Sequence, residues 1–188
     1  MFSDKIKEAT LTQHQQVEKS LVGKMKAIRS KDEYVNLLKI FYGYFGGLEQ
    51  QIKTAIDQSQ IEDYNDRRKT GAIAEDIKDL GGKVPGLASG LDLPTISNHL
   101  QAFGALYVIE GSTLGGSIIS GMMQKHLAFD GQKGLSFFNG YGEQTQQMWA
   151  NFKLALNVAV KSEEDEAEVL QAANNTFARF NNWIEKQS

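Results

Sequence analysis

The chain has 188 residues, no cysteine, and a net charge of −3 from 20 Lys and Arg against 23 Asp and Glu. The missing cysteine excludes thiol catalysis, thiolate zinc sites, iron–sulfur clusters and disulfide frameworks. The charge balance provides no basic field for nucleic acid or an anionic membrane. The length suits one domain, 1–188, which can bury roughly 70% of the unfolded chain's surface. Only two prolines occur, Pro85 and Pro94, so long uninterrupted helices are permitted elsewhere. The N-terminal residues MFSDKIKEAT hold no apolar signal-like run, which sets the expectation of a cytoplasmic protein.

The pattern predicts an amphipathic helix over 4–22, with Ile6, Val17 and Leu21 on one side. Ser30 and Glu33 then form a capping box before a run from Tyr34 to Ile56 with apolar residues at spacings of three and four. Gly43, Gly46 and Gly47 inside that run imply a close neighbour. A third helix is expected over 64–80. Residues 81–94 hold both prolines and read as a loop. Thr95 is expected to cap a very long helix reaching about Leu127, followed by a glycine-rich connection over 128–142. Helices at 143–161 and 163–186 complete the chain, the last opened by Ser162 with Glu163, Glu164 and Asp165. No segment shows the period-two pattern of a strand. The expected fold is an all-α, single-domain helical bundle of about six main helices.

Residues 103–123 carry one charge, Glu110. Of these 21 positions only 11 hold apolar side chains, while five are glycine and five are Glu, Ser or Thr. A membrane span is richer in Leu, Ile and Val, so the segment reads as a buried central helix without stable membrane insertion.

Phosphate-loop and dinucleotide glycine motifs are absent. None of His14, His99 and His126 has a glutamate three residues earlier, which removes the di-iron bundle pattern. On a helical wheel Thr10, Val17 and Leu21 fall within about 60° of His14, so His14 is expected to point with the apolar face, toward the core. It can be a hydrogen-bonded core histidine or an axial ligand to an iron porphyrin. Lys7 lies two turns earlier, about 10 Å along the axis, roughly the span from a haem iron to its carboxylates. Gly104, Gly111 and Gly115 fall within about 40° on one helix face, beside Gly116. Such a face admits either another helix or a planar ligand.

Three stretches together resemble the haem oxygenase family, of the bacterial kind. Residues 6–18, IKEATLTQHQQVE, are similar to its proximal helix. Residues 106–116, LYVIEGSTLGG, are similar to the distal helix that kinks over haem. Residues 134–138, GLSFF, are similar to the short motif that follows. The resemblance implies a helical bundle with a glycine-kinked distal helix and an enzyme that cleaves haem oxidatively to biliverdin, carbon monoxide and ferrous iron. A non-catalytic haem-binding or storage protein on the same fold is the alternative.

By resemblance His14 is the iron ligand, with Glu18 one turn on and Thr10 one turn back. Gly111 and Gly115 are the glycines whose backbone nears bound oxygen, with Gly116 beside them. Lys7 and Lys153 are the propionate-binding cations. Ser112 stands where the mammalian pattern has an aspartate that organises proton-delivering water. Haem is then substrate and cofactor together, O2 the oxidant, and an external ferredoxin- or flavodoxin-type donor the source of electrons.

Overall fold

The computed structural model describes residues 1–129 and 131–187. Nine α-helices and no strand occur among them: α1 (Phe2–Ala9), α2 (Leu11–Ala27), α3 (Lys31–Ala55), α4 (Gly71–Asp79), α5 (His99–Gly111), α6 (Thr113–His126), α7 (Ser136–Asn139), α8 (Thr145–Ala159) and α9 (Glu163–Lys186). The six long ones, α2, α3, α5, α6, α8 and α9, make the bundle expected from the pattern. Both capping boxes form: Ser30 and Ser162 accept the Glu33 and Asp165 amides, and those carboxylates reach back to the cap backbone.

Four boundaries differ from the sequence pattern, each for a local reason. The helix expected over 4–22 is two helices, α1 and α2. Thr10 lies between them, and its hydroxyl takes the Ile6 carbonyl at 2.7 Å. The helix expected over 64–80 begins only at Gly71, because Arg67 and Arg68 point inward and bond partners on other elements. The cap of α5 is Asn98, which accepts the Gln101 amide, and not Thr95. The long helix to Leu127 is interrupted at Ser112.

The three α3 glycines do have close neighbours. A Cβ on Gly46 or Gly47 would come within 2.5 Å of Leu87 or the Ala88 carbonyl, and one on Gly43 within 2.8 Å of Trp183. The proline-bearing loop therefore lies flat across α3, tied by the Ala88 amide to the Gly43 carbonyl at 2.9 Å.

The core is strongly aromatic. Phe41, Phe45, Phe137, Phe138 and Phe180 stand with centroids between 5.2 and 6.2 Å along one connected path. The buried Tyr34 and Tyr44 hydroxyls donate to the Gly134 and Thr176 carbonyls, so neither polar tip is left unpaired. The stretch His99–His126 is long and apolar enough to cross a membrane, yet 61% of its most apolar window is buried inside the protein.

His99 at the start of α5 gives the fold a pH dependence. Its Nδ1 accepts the Asp57 amide at 3.1 Å, its Nε2 meets the Gln60 side chain at 2.9 Å, and its ring lies edge-on to Phe103. Burial holds the imidazole below its usual 6.5, against the pull of Asp57. The unfolded chain therefore takes up the proton first. This contribution to stability is present above the usual value and is lost as pH falls through the lower folded one. Urea unfolding followed from about pH 7 to about pH 5 should show stability falling, and His99→Gln should flatten that part of the profile.

Candidate active site

Helix α9 aligns the two walls of the site. The Asn174 side chain reaches the Ala9 carbonyl at the end of α1, and along α2 Phe177 meets His14 and Asn181 meets Ser20, so α2 and α9 run in the same direction. Along α5, Glu168 meets Asn98 and Gln101, and Ala172 lies against Gly104, so α5 is parallel to α9 as well. Helices α2 and α5 are therefore parallel to each other. Thr10, at the start of α2, lies beside the Tyr107 hydroxyl of α5. One turn beyond that contact stand His14 on α2 and Gly111 on α5, and a further turn on stand Glu18 and Gly115.

The glycines divide into two kinds. A Cβ on Gly104 would lie 2.6 Å from the Val169 carbonyl, and one on Gly116 would lie 2.2 Å from the Phe138 carbonyl. These two are bare so that α9 and α7 can pack against them. Gly104 thus does not share the role of Gly111 and Gly115, and Gly116 faces α7. A Cβ on Gly111 would meet only Trp149 at 3.8 Å, and one on Gly115 would meet nothing within 4 Å. No protein contact among the described residues requires these two to lack side chains. Beside them on α6, Ile118 is 69% exposed, an apolar side chain with nothing over it.

His14 does not point into the core. Its side chain is half exposed, and its ring is tilted against Phe177 at 5.4 Å. The apolar face of α2 is carried by Val17, Leu21 and Met25, further along the helix. Glu18 lies 3.4 Å from one ring nitrogen. That nitrogen is Nε2, so His14 and Glu18 form an exposed i, i+4 pair on α2. His99 has both ring nitrogens engaged, so it is no competing ligand.

The far wall is backed by charge. The Ser112 hydroxyl donates to the Ile109 carbonyl at 2.6 Å and accepts from Arg68 Nη2 at 2.6 Å. The Thr113 hydroxyl takes the Glu110 carbonyl at 2.6 Å. Arg68 also bonds the Ile109 and Phe137 carbonyls and lies over the Phe137 ring at 3.8 Å. Burial pushes its guanidinium down to about 10, so it keeps its charge at neutral pH. Next to it Arg67 pairs with Glu110 and with Asp63, each at 2.6 Å, and bonds the Met148 carbonyl. Tyr141 joins the two arms: its hydroxyl donates to Glu110 and accepts the Arg68 amide at 2.8 Å. Both arginines line a cavity of about 20 Å³, room for one water, and each has an Nε–H with no protein acceptor.

At the side of the slot, Trp149 on α8 stands 5.5 Å from Tyr107 and stacks on Phe152 at 5.7 Å. Lys153 Nζ lies 6.0 Å from the Trp149 ring. Asn157 bonds the Ser3 amide at 2.9 Å, while Tyr107 joins Thr10 to Trp149 at the other end of α1, so α1 and α8 are antiparallel. Lys7 and Lys153, each one turn in from Ser3 and Asn157, are thereby brought to one level at the edge of the slot.

The shared direction of α2 and α5 puts Thr10, His14 and Glu18 at the levels of Tyr107, Gly111 and Gly115, while the α1–α8 contact puts Lys7 and Lys153 at one level and Arg68 holds Ser112. The sequence reading did not find Trp149, Phe177, Arg67, Arg68 or Tyr141. Tyr107 was inside the quoted distal motif but carried no spacing of its own. The Arg67–Arg68 pair in an otherwise polar stretch was the one available signal, because a solvated loop does not need two adjacent guanidinium groups.

A family model described as Heme oxygenase matches residues 91–186, just over half of the chain. A curated relative named heme oxygenase, from Xanthomonas campestris pv. campestris, is 29% identical over 152 residues, covering 79% of this chain and 87% of that one. Among solved structures, the NO- and CO-bound heme oxygenase of Neisseria meningitidis superposes with a TM-score of 0.85 at 25% identity, covering 100% of this chain and 92% of that one. The heme oxygenase of Leptospira interrogans superposes with a TM-score of 0.76 at 18% identity over 98% of both chains, a likeness of fold.

The two kinds of glycine make opposite predictions. Gly116→Leu and Gly104→Leu should lower stability by about 1–3 kcal/mol or more, because backbone stands where the side chain must go. Gly115→Leu should leave the ligand-free protein equally stable or raise its melting temperature, since leucine is the better helix former by about 0.8 kcal/mol. Thermal and urea unfolding of the three variants decide between these outcomes.

Proposed function

Because the chain belongs to the haem oxygenase family, and so acts in haem degradation, we propose that the slot between α2 and α5–α6 binds haem and that the products are biliverdin, carbon monoxide and ferrous iron. The observation that carries this reading is the pair of glycines, Gly111 and Gly115, bare for no protein neighbour, in a wall parallel to the helix that presents His14. A flat, apolar, metal-bearing group fits the donor set. One wall offers an imidazole with a carboxylate partner. The other offers backbone and the exposed Ile118. Haem supplies the iron at which O2 reacts, and it is the substrate of the same reaction.

The residues divide the work as follows. His14 would hold the iron, with the Glu18 carboxylate one turn away beside its ring. Thr10 and Tyr107 close one end and fix the spacing of the walls. Gly111 and Gly115 would leave bare backbone and room for O2 on the second side of a bound ring. Gly116 acts with them by seating α6 on α7. Lys7 and Lys153 draw the haem carboxylates to one edge, with Trp149 between the lysines and the distal glycines. Ser112 acts through the helix interruption: its proton is committed to the Ile109 carbonyl, so it orders the distal backbone and is not itself the acid. An external ferredoxin- or flavodoxin-type protein in the cytoplasm provides the electrons, since no flavin or nicotinamide motif occurs in the chain.

His14→Ala tests the reading. The side chain is half exposed and makes few contacts, so the variant should fold with stability within about 0.5 kcal/mol of the parent. Haem titration should give the parent a histidine-ligated Soret spectrum and the variant none. With O2 and a reductant, the parent spectrum should give way to biliverdin absorption. A haem spectrum that is unchanged in the variant would move the ligand elsewhere, and stable haem with no biliverdin would make the protein a haem carrier.

A further inference from the structure

Six charged side chains lie behind the distal wall, Arg67, Arg68 and Lys69 against Asp63, Glu49 and Glu110, and the inner four are Arg67, Arg68, Asp63 and Glu110. The Arg67 and Glu110 side chains are 1% and 2% exposed, so nothing but protein and the small cavity surrounds them. Their charges sum to zero. In such surroundings solvent screens little, and removing any one member leaves an unbalanced unit charge. The position of this charge is fixed. Glu110 directly precedes Gly111, and Arg68 grips Ser112, the residue after it. Tyr141 bonds both arms. Stability alone does not call for such a cluster, because buried ion pairs are commonly replaced by apolar residues without loss.

We propose that the Arg67–Glu110 pair, joined through Tyr141 to Arg68, is a charge-balanced positioning cluster that sets the electrostatic potential on the distal side of the slot and with it the reduction potential of the bound haem iron. The inference rests on the haem reading above. Reduction removes one positive charge from the iron. An uncompensated cation behind Gly111 therefore favours the ferrous state, and an uncompensated anion favours the ferric state. None of the four residues is assigned contact with haem; they act through the wall they support.

The test is a spectroelectrochemical titration of the haem complexes of the parent, Glu110→Gln, Arg67→Gln and the double variant, with thermal unfolding of each. The cluster predicts an upward shift of the midpoint potential in Glu110→Gln, a downward shift in Arg67→Gln, and a return to near the parent value when both are changed. A pair that only holds the fold predicts midpoints that do not follow the sign of the charge, although each single variant is destabilised. That pattern, or equal midpoints in all four, overturns the proposal. Should either single variant not fold, Tyr141→Phe takes its place, since it deletes one hydroxyl and keeps the ring. Loss of the O–H that points at Glu110 leaves the carboxylate less neutralised, so the midpoint should fall, and an unchanged value overturns the proposal. A parent protein that gives no His14-dependent haem spectrum would overturn the haem reading itself and this inference with it. A normal haem spectrum with unmoved potentials would overturn the inference alone.

Discussion

The interruption at Ser112 is the constraint on which the site depends. Two successive hydroxyls, from Ser112 and Thr113, take the Ile109 and Glu110 carbonyls, and Arg68 adds a guanidinium bond to the first of them. The helical ladder is diverted at that turn while the chain continues in nearly the same direction. Before the interruption, α5 packs against α9 through Gly104. After it, α6 packs against α7 through Gly116. Between these two anchored glycines lies the stretch that presents Gly111 and Gly115 with nothing pressed against them.

The anchors are themselves held from further out. The buried Asp76 on α4 accepts the Ser136 and Phe137 amides and the Ser136 hydroxyl, capping the short α7 whose Phe138 carbonyl meets Gly116. Burial raises the Asp76 carboxyl above its usual range, and the three donors oppose that shift. On the other side, α9 fixes the direction of both α2 and α5. One helix thereby sets the His14 wall and the glycine wall parallel, and the Thr10–Tyr107 contact sets where they begin to part. The proposed slot is thus a gap between well-packed elements, with exposed His14 on α2 and Ile118 on α6.

The polar atoms of this region are divided by side of the wall. On the slot side stand an imidazole, a carboxylate one turn away and two lysines at the rim. Behind the wall stand two arginines, their carboxylate partners and a tyrosine. This division leaves bare backbone at Gly111 and Gly115 and keeps the paired charges behind it. Ser112 belongs to the second group by its hydrogen bonds, although its place in the chain puts it beside Gly111.

Much of the fold follows from sequence alone, because its signals are local. The capping boxes at Ser30 and Ser162, the spacing of α3, the glycine–proline loop and the absence of period-two segments each depend on neighbours within a few residues. His14, Lys7 and the distal glycines stand out in three motifs whose order resembles that of one family. Tertiary structure decided the rest. Thr10 splits α1 from α2, and Arg67 and Arg68 turn inward and delay α4. Asn98 and not Thr95 starts α5, and His14 is half exposed rather than in the core. It also separated Gly104 and Gly116 from Gly111 and Gly115, which a helical wheel places together. A wheel records angle about one axis, whereas the use of a bare position depends on what another element brings to it. The charged cluster was illegible for the same reason: Asp63, Arg67, Arg68, Glu110 and Tyr141 come from three separate stretches, and no spacing along the chain records that they meet.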